Sequence, residues 1–287
     1  MKRKNKDIPE NAFSTGSREG IFIARKSSNG PPEVKEVGRS HRDNGHLFIL
    51  QERGATLIEV DFQIYHVSAN SVLYIHPSQV HRLVRFEDAT VGCWIITNEN
   101  LRPEYLNILE TLTPVDNLEL DTRTMAVISD TVSLCIEFTQ RKQERLFESI
   151  LRESCNTLVA LVASQFLVRS KTTDNTSRFE LITRSFKTSL EHHFLTVKSP
   201  SAFAGLLNVS TPYLNECVKY TTGHSVSYHI QQRVVLEAKR LLYHSGKSVK
   251  EIAGSLGYDD YAYFTRLFVK LTGMTPVSFR NKNLDLS

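Results

Sequence analysis

Two sets of side chains in this 287-residue sequence are of types that do chemistry. The first is His41, His46, His76 and His81, with Asp43 two positions after His41. Imidazoles and carboxylates bind divalent transition metals. The second set lies in the last third of the chain: Asn215, Glu216, Lys219, Lys250, Arg266 and Lys270. Asn can bond adenine in bidentate fashion, Glu can accept from a cytosine amine, Arg pairs with guanine, and Lys neutralises phosphate. One set points to metal chemistry and the other to a polyanion. The choice depends on the elements that hold each set.

The chain is long enough for two domains, and 40% apolar with 23% charged residues excludes wholesale disorder. A polar stretch at 169–179 reads as a linker, and it divides the charge unevenly. Residues 180–287 carry 13 Lys and Arg against 8 Asp and Glu, whereas residues 1–179 carry 22 against 23. The basic excess is therefore confined to the C-terminal part, as expected of a polyanion-binding domain. The four cysteines, at 93, 135, 155 and 217, form no CxxC pair and read as free thiols in a reducing compartment. The basic start is not followed by an apolar segment, and the run 158–168 is about half the roughly 20 residues of a membrane span. A cytoplasmic protein with no membrane partner is expected. No phosphate-binding GxxxxGK[ST] loop, GxSxG elbow or HExxH helix occurs.

In the N-terminal part, short stretches rich in Val, Ile, Phe and Tyr at 21–24, 47–51, 56–60, 63–67, 71–75, 82–85 and 91–96 read as strands. The breaks fall at Gly54, Asp61, Pro77 and Asp88, and the spacing predicts a sandwich or jelly roll. Met125, Ile128, Val132 and Cys135 follow at helical spacing, as do Phe147, Ile150, Leu151, Leu158 and Val162. These two helices, at about 122–168, have stripes suited to the sheet or to a second subunit.

The C-terminal part contains a repeat of about 50 residues, at 202–214 and 249–264. A small residue (Ala204, Ala253) precedes a turn residue (Asn208, Gly257) by four positions. An apolar residue follows the turn (Leu214, Phe264), another lies four further on (Val218, Phe268), and a helix-stopping glycine ends each copy (Gly223, Gly273). Two helices crossing steeply over a short turn need those residues, and the second helix keeps an outer face free for a groove. A helix at 228–244, with Ile230, Val234, Ala238, Leu241 and Leu242, joins the copies.

From about 199 to 282 the chain resembles the DNA-binding domain of the AraC/XylS family of bacterial transcription regulators. The resemblance rests on Ala253, Leu256 to Asp260, Tyr263 to Phe268, Gly273 to Pro276 and Phe279-Arg280, with Gly223 to Ser225, Arg233, Ala238 and Leu241-Leu242 upstream. Val218 and His229 stand where Phe and Tyr are usual, and Cys217 lies in the same first recognition helix. The N-terminal part resembles that family's cupin-type effector module through His41 to Asp43, Leu47 to Leu50, Gly54 and Ser71 to His81.

The resemblance implies an α+β multidomain chain. A cupin-like β-barrel or jelly roll at about 20–120, with its trailing helices, makes a sensor and dimerisation domain at 1–168. After the linker at 169–179 comes an all-α domain with two helix-turn-helix units at 180–287. Expected DNA-contacting residues in the first unit are Pro212, Tyr213, Asn215, Glu216 and Lys219. In the second they are Lys250, Asp260, Tyr261, Ala262, Thr265, Arg266 and Lys270, with Asp260 doubling as a helix cap and Tyr263, Phe264 and Phe268 in the core. Arg280 reads as a phosphate contact or a fold salt bridge. Expected partners are double-stranded DNA, a small-molecule effector, RNA polymerase and a second copy of the chain. The chain is not read as an enzyme, and no cofactor or metal is assigned. Catalytic cupins carry an HxH pair, which Asp43 interrupts here, and His81 reads as a turn residue bonded to backbone. The competing readings are a cupin metalloenzyme fused to a helical domain and a protein-interaction module that does not bind DNA.

Overall fold

Residues 47–50, Leu-Phe-Ile-Leu, lack the polar alternation of a half-exposed strand, because both faces of the strand they form are covered. The computed structural model describes residues 7–11, 20–28, 40–112, 117–141, 143–170 and 177–284. Most of the linker stretch, 171–176, lies outside them. The chain divides into two compact units: Pro9–Thr172, and Thr173–Ser287 together with Met1–Ile8. The sequence reading grouped the first eight residues with the N-terminal part. In the structure Asp7 Oδ1 lies 2.7 Å from Lys247 Nζ, within the C-terminal unit.

The strands are β1 (Glu10–Asn11), β2 (Ile21–Ser27), β3 (Arg42–Asp43), β4 (His46–Val60), β5 (Gln63–Ser68), β6 (Ser71–Ile75), β7 (His81–Ile96) and β8 (Leu118–Glu119). They form an antiparallel sheet in the order β2-β7-β4-β6-β8, with β5 also paired to β4, and β1 and β3 make a small parallel pair. Side chains alternate across the sheet. Phe48, Leu50, Trp94 and Ile96 face a cluster shared with helices, and Phe48 stacks on Trp94 with ring centroids 5.1 Å apart. Leu47, Ile49, Val91 and Ile95 face the other way, into a second cluster with Ile58, Val60 and Val67.

Two expected breaks are not breaks. The stretches 47–51 and 56–60 are one strand, as are 82–85 and 91–96. Gly54 (φ +67°) and Asp88 (φ +42°) face each other across β4 and β7, and a Cβ at 54 would fall on the Asp88 carbonyl. Register shifts between Gln51 and Ala55 mark a bulge there. A bulge bends a strand pair without ending it. Asp61 (φ +48°) does end β4.

The helix side is closed by α1 (Pro103–Thr111), α2 (Thr122–Thr139) and α3 (Phe147–Ser170). Asp121 caps α2 by accepting from Arg123 N and Thr124 N. Met125, Ile128, Val132 and Cys135 are buried, as their spacing predicts, and Leu151, Cys155, Leu158, Val159 and Val162 meet them from α3. Full burial of one such side chain contributes roughly 1.5–3 kcal/mol.

His46 is sealed beneath this side. Its Nδ1 accepts from the Tyr74 hydroxyl (2.7 Å) and its Nε2–H donates to Asn98 Oδ1 (2.9 Å), which describes one neutral tautomer. Burial, helped by the neighbouring charge of His76, pushes its pKa down to about 4. The unfolded imidazole titrates near 6.5, so between those values the unfolded chain holds more protons than the folded one. The stability due to His46 is therefore full above pH 6.5 and falls as pH drops toward 4. The loss is about 3 kcal/mol at most. We expect denaturation midpoints of the N-terminal unit, measured between pH 7 and pH 4, to fall less steeply in His46→Gln than in the parent. Equal pH slopes would contradict this.

The C-terminal unit is helical: α4 (Arg178–His193), α5 (Pro200–Leu206), α6 (Thr211–Thr222), α7 (Val226–His244), α8 (Val249–Ser255), α9 (Tyr261–Thr272) and α10 (Pro276–Leu284). α7 is its axis, with Val226, Ile230, Val234, Val235, Ala238 and Leu242 buried. α7 also holds a buried charge network. Arg233 bonds Glu191 of α4 (2.7 Å) and Glu237 (3.3 Å), Arg240 bonds Glu237 (2.9 Å), and the Arg233 guanidinium lies 3.8 Å above the Phe194 ring. No helix among the described residues is long and apolar enough to cross a membrane.

Candidate nucleic-acid interface

The repeat seen in the sequence is a repeat of hydrogen bonds. Ser199 and Ser248 cap α5 and α8 through the N–H three residues on, and Glu251 closes a capping box on Ser248. After each of these helices the turn residue is left-handed, Asn208 at φ +53° and Gly257 at φ +76°. The next amide then donates back to the small residue: Val209 N to Ala204 O (3.0 Å), and Tyr258 N to Ala253 O (2.9 Å). Ser210 and Asp260 cap α6 and α9. Left-handed Gly223 and Gly273 end them, donating to Lys219 O and Val269 O. Thr222 Oγ1 donates to Val218 O, and Thr272 Oγ1 to Phe268 O, both at 2.7 Å. The fold thus builds the same helix-turn-helix twice on one axis.

The inward faces are sealed. Leu214, Cys217 and Val218 of α6 are fully buried, and so are Phe264 and Phe268 of α9. Val218 is smaller than the usual Phe and is nonetheless fully buried; Phe186 of α4, also fully buried, meets Phe203 of α5 edge-on at 5.4 Å. His229 bonds Thr222 Oγ1 at 2.8 Å. Burial keeps its pKa below the ordinary value, with Lys187 and His224 adding to the effect. The sequence reading did not include α4. Its signal is the capping box Ser177…Glu180, with Phe179, Ile182, Phe186 and Leu190 at helical spacing.

The outward faces carry most of the expected contacts. Pro212, Glu216 and Lys219 of α6 are exposed, as are Tyr261, Ala262, Arg266 and Lys270 of α9 and Lys250 of α8. No ion pair joins Lys219, Lys250, Arg266 or Lys270 to another described residue, so these cations face solvent unneutralised. Other expected residues are engaged within the fold. Asn215 donates from Nδ2 to Thr211 O (3.2 Å) and accepts from Val226 N (3.3 Å), which ties α6 to the start of α7. Tyr213 is half-buried beside the Phe179 ring, with the Arg178 guanidinium 5.9 Å from its centroid. Asp260 accepts from Ala262 N (2.8 Å) and Tyr263 N (3.0 Å), so its cap role is filled. Thr265 Oγ1 donates to Tyr261 O.

Two further readings change. Tyr263 is not core: it is 47% exposed and stacks on Tyr258, because the buried stripe of α9 runs through Phe264, Leu267 and Phe268. Arg280 donates to Leu242 O (3.0 Å) and Lys247 O (2.6 Å), so it serves carbonyls at and beyond the end of α7. Lys198 serves backbone carbonyls in the same way. Its ammonium donates to Phe194 O and Leu195 O, and burial pushes its pKa down to about 8.

A family model described as a helix-turn-helix domain matches residues 203–282, and one described as an AraC-like ligand binding domain matches residues 33–154. The chain belongs to the AraC/XylS family. One relative of this AraC-type chain is the HTH-type transcriptional activator RhaR of Enterobacter sp. (strain 638), 30% identical over 158 residues. That match covers 50% of this chain and 52% of the relative. The activator of the same name from Escherichia coli (strain K12) is 32% identical over 91 residues, 31% of this chain and 32% of its own. The matches thus span about half and about a third of these relatives. Among solved structures, the C-terminal domain of AraT, a response regulator from Geobacillus stearothermophilus, is 30% identical. It covers 37% of this chain and 88% of its own, with a TM-score of 0.35.

Proposed function

We propose that the chain is a cytoplasmic transcription regulator whose C-terminal unit binds duplex DNA through α6 and α9. The observation that carries this reading is the duplicated helix-turn-helix, with its outward cations unneutralised. Arg266 reads a guanine or grips a phosphate, and Lys219, Lys250 and Lys270 sit on phosphates. Glu216 with Pro212, and Tyr261 with Ala262, meet base edges. The chain acts as a regulator and not as an enzyme. Its relatives are named activators, which supports activation and hence RNA polymerase as a partner.

The N-terminal unit takes a small-molecule effector on the inward face of its sheet. Control requires that the effector bind two states of the chain with different affinity. Val127 and Leu134 support a homodimer: they lie seven residues apart on one face of α2 and are 45% and 47% exposed.

Sheared genomic DNA incubated with the purified chain tests the proposal. Enriched fragments should share a motif of two segments about 10 bp apart, one helical turn. Fragments without a common motif would reject sequence-specific binding.

A further inference from the structure

The geometry points to a divalent transition-metal site formed by His41, Asp43 and His81 on the inward face of the N-terminal sheet. It stands independently of DNA binding. The backbone alone brings the three residues together. His41 and His81 oppose each other in an antiparallel bridge, each N–H bonded to the other's carbonyl at 3.0 Å. Asp43 is two residues beyond His41 and so shares its face. His81 also pairs with Val60, a member of the inward apolar cluster, which fixes that face as the inner one. His46 lies elsewhere, bonded to Tyr74 in the helix-side cluster.

Spacing and saturation both suit a metal. His41 Nε2 stands 3.5 Å from Asp43 Oδ1, and His81 Nε2 stands 3.4 Å from Asp43 Oδ2. The three donor atoms lie within 4.8 Å of one another. Charged N–H···O hydrogen bonds run at about 2.7–2.9 Å. Two ligand atoms each about 2.1 Å from a tetrahedral ion stand about 3.4 Å apart. The observed gaps match the second figure. Asp43 is 4% exposed and His81 5%, yet both Asp43 carboxylate oxygens and His81 Nδ1 have no hydrogen-bond partner. Native folds seldom leave a buried carboxylate so, because its desolvation is uncompensated. A cation between the three groups supplies the missing partner for Asp43.

The pair of imidazoles and one carboxylate is a donor set for Zn2+, Fe2+, Co2+, Ni2+ or Mn2+, and it leaves coordination positions open. Those positions suit water or an oxygen-bearing small molecule. The sequence reading set a metal aside because Asp43 replaces the second His of the HxH pair. On a strand both residue types project to the same place, and a carboxylate ligates as well as an imidazole.

The test is a titration of the full chain, stripped with a chelator, with Co2+ as the probe. One Co2+ per chain should bind, with the visible absorption of nitrogen- and oxygen-ligated cobalt. Asp43→Asn and His81→Gln should each weaken binding at least about tenfold, whereas His76→Gln should leave it unchanged. Folding of each variant is checked by circular dichroism. Should a variant not fold, imidazole nitrogen resonances of the parent decide: Zn2+ should shift those of His41 and His81 and leave that of His46 in place. Absence of stoichiometric Co2+ overturns the proposal. So does full affinity in a folded Asp43→Asn or His81→Gln chain, or Zn2+ shifts confined to other histidines.

Discussion

Replacing Arg266 with Ala is expected to weaken duplex binding by roughly 5- to 150-fold, the equivalent of about 1–3 kcal/mol. Arg266 is exposed on the outer face of α9, three residues from the exposed Tyr263 and two from the core residue Phe264. No described residue neutralises it, so its removal costs the fold little, and helical circular dichroism should not change. The variant also separates two roles. If Arg266 pairs with a guanine, discrimination at one operator position is lost. If it grips a phosphate, affinity falls evenly across sequences and the salt dependence weakens by about one charge. Lys219→Ala should show the second behaviour. Unchanged affinity and unchanged sequence preference would remove Arg266 from the interface.

Gly257→Ala is expected to be the most damaging small change in the C-terminal unit. Gly257 sits at φ +76°, and an added Cβ would stand well inside van der Waals contact distance of the Leu195 carbonyl oxygen, and close to the Lys198 stem. That carbonyl accepts from the Lys198 ammonium, which lies 5.3 Å from the Tyr258 ring. The second turn is thus pressed against the end of α4. The substitution combines left-handed strain of about 1–2 kcal/mol with displacement of backbone, for a total of about 3 kcal/mol. Gly273 is the control, with φ +74° and nothing within 4 Å of an added Cβ. Gly273→Ala should cost only the left-handed strain, about 1 kcal/mol. For a unit of this size the melting temperatures should fall by at least about 10 °C and by about 5 °C, respectively. Equal shifts would show that the close approach at Gly257 carries no cost.

The contrast between those glycines marks what could be read from the residues alone. Asn208, Gly223, Gly257 and Gly273 announce left-handed backbone locally, so the two helix-turn-helix units were legible within a few residues. Asn215 was not. Its acceptor is engaged by Val226 N, eleven residues on, and nothing in the neighbouring residues reveals that bond. Gly54 and Asp88 misled for the same reason. Each looks like a break, but the partner residue across the sheet turns both into one bulge. The histidines divide in the same way. Their types were evident, whereas the bridge between His41 and His81 is a tertiary fact. Tyr263 reads as core beside Phe264 and Phe268, but the buried stripe of α9 passes it by.

The central claim is that the outward faces of α6 and α9 bind duplex DNA. Fluorescence anisotropy of the full chain on an enriched fragment, from about 50 to about 200 mM salt, tests it most directly. The logarithm of the association constant should fall linearly with the logarithm of salt, by about 0.9 for each phosphate neutralised; six or more contacts would cost about a thousandfold across that range. Absence of binding, or an affinity unmoved by salt, would contradict the claim.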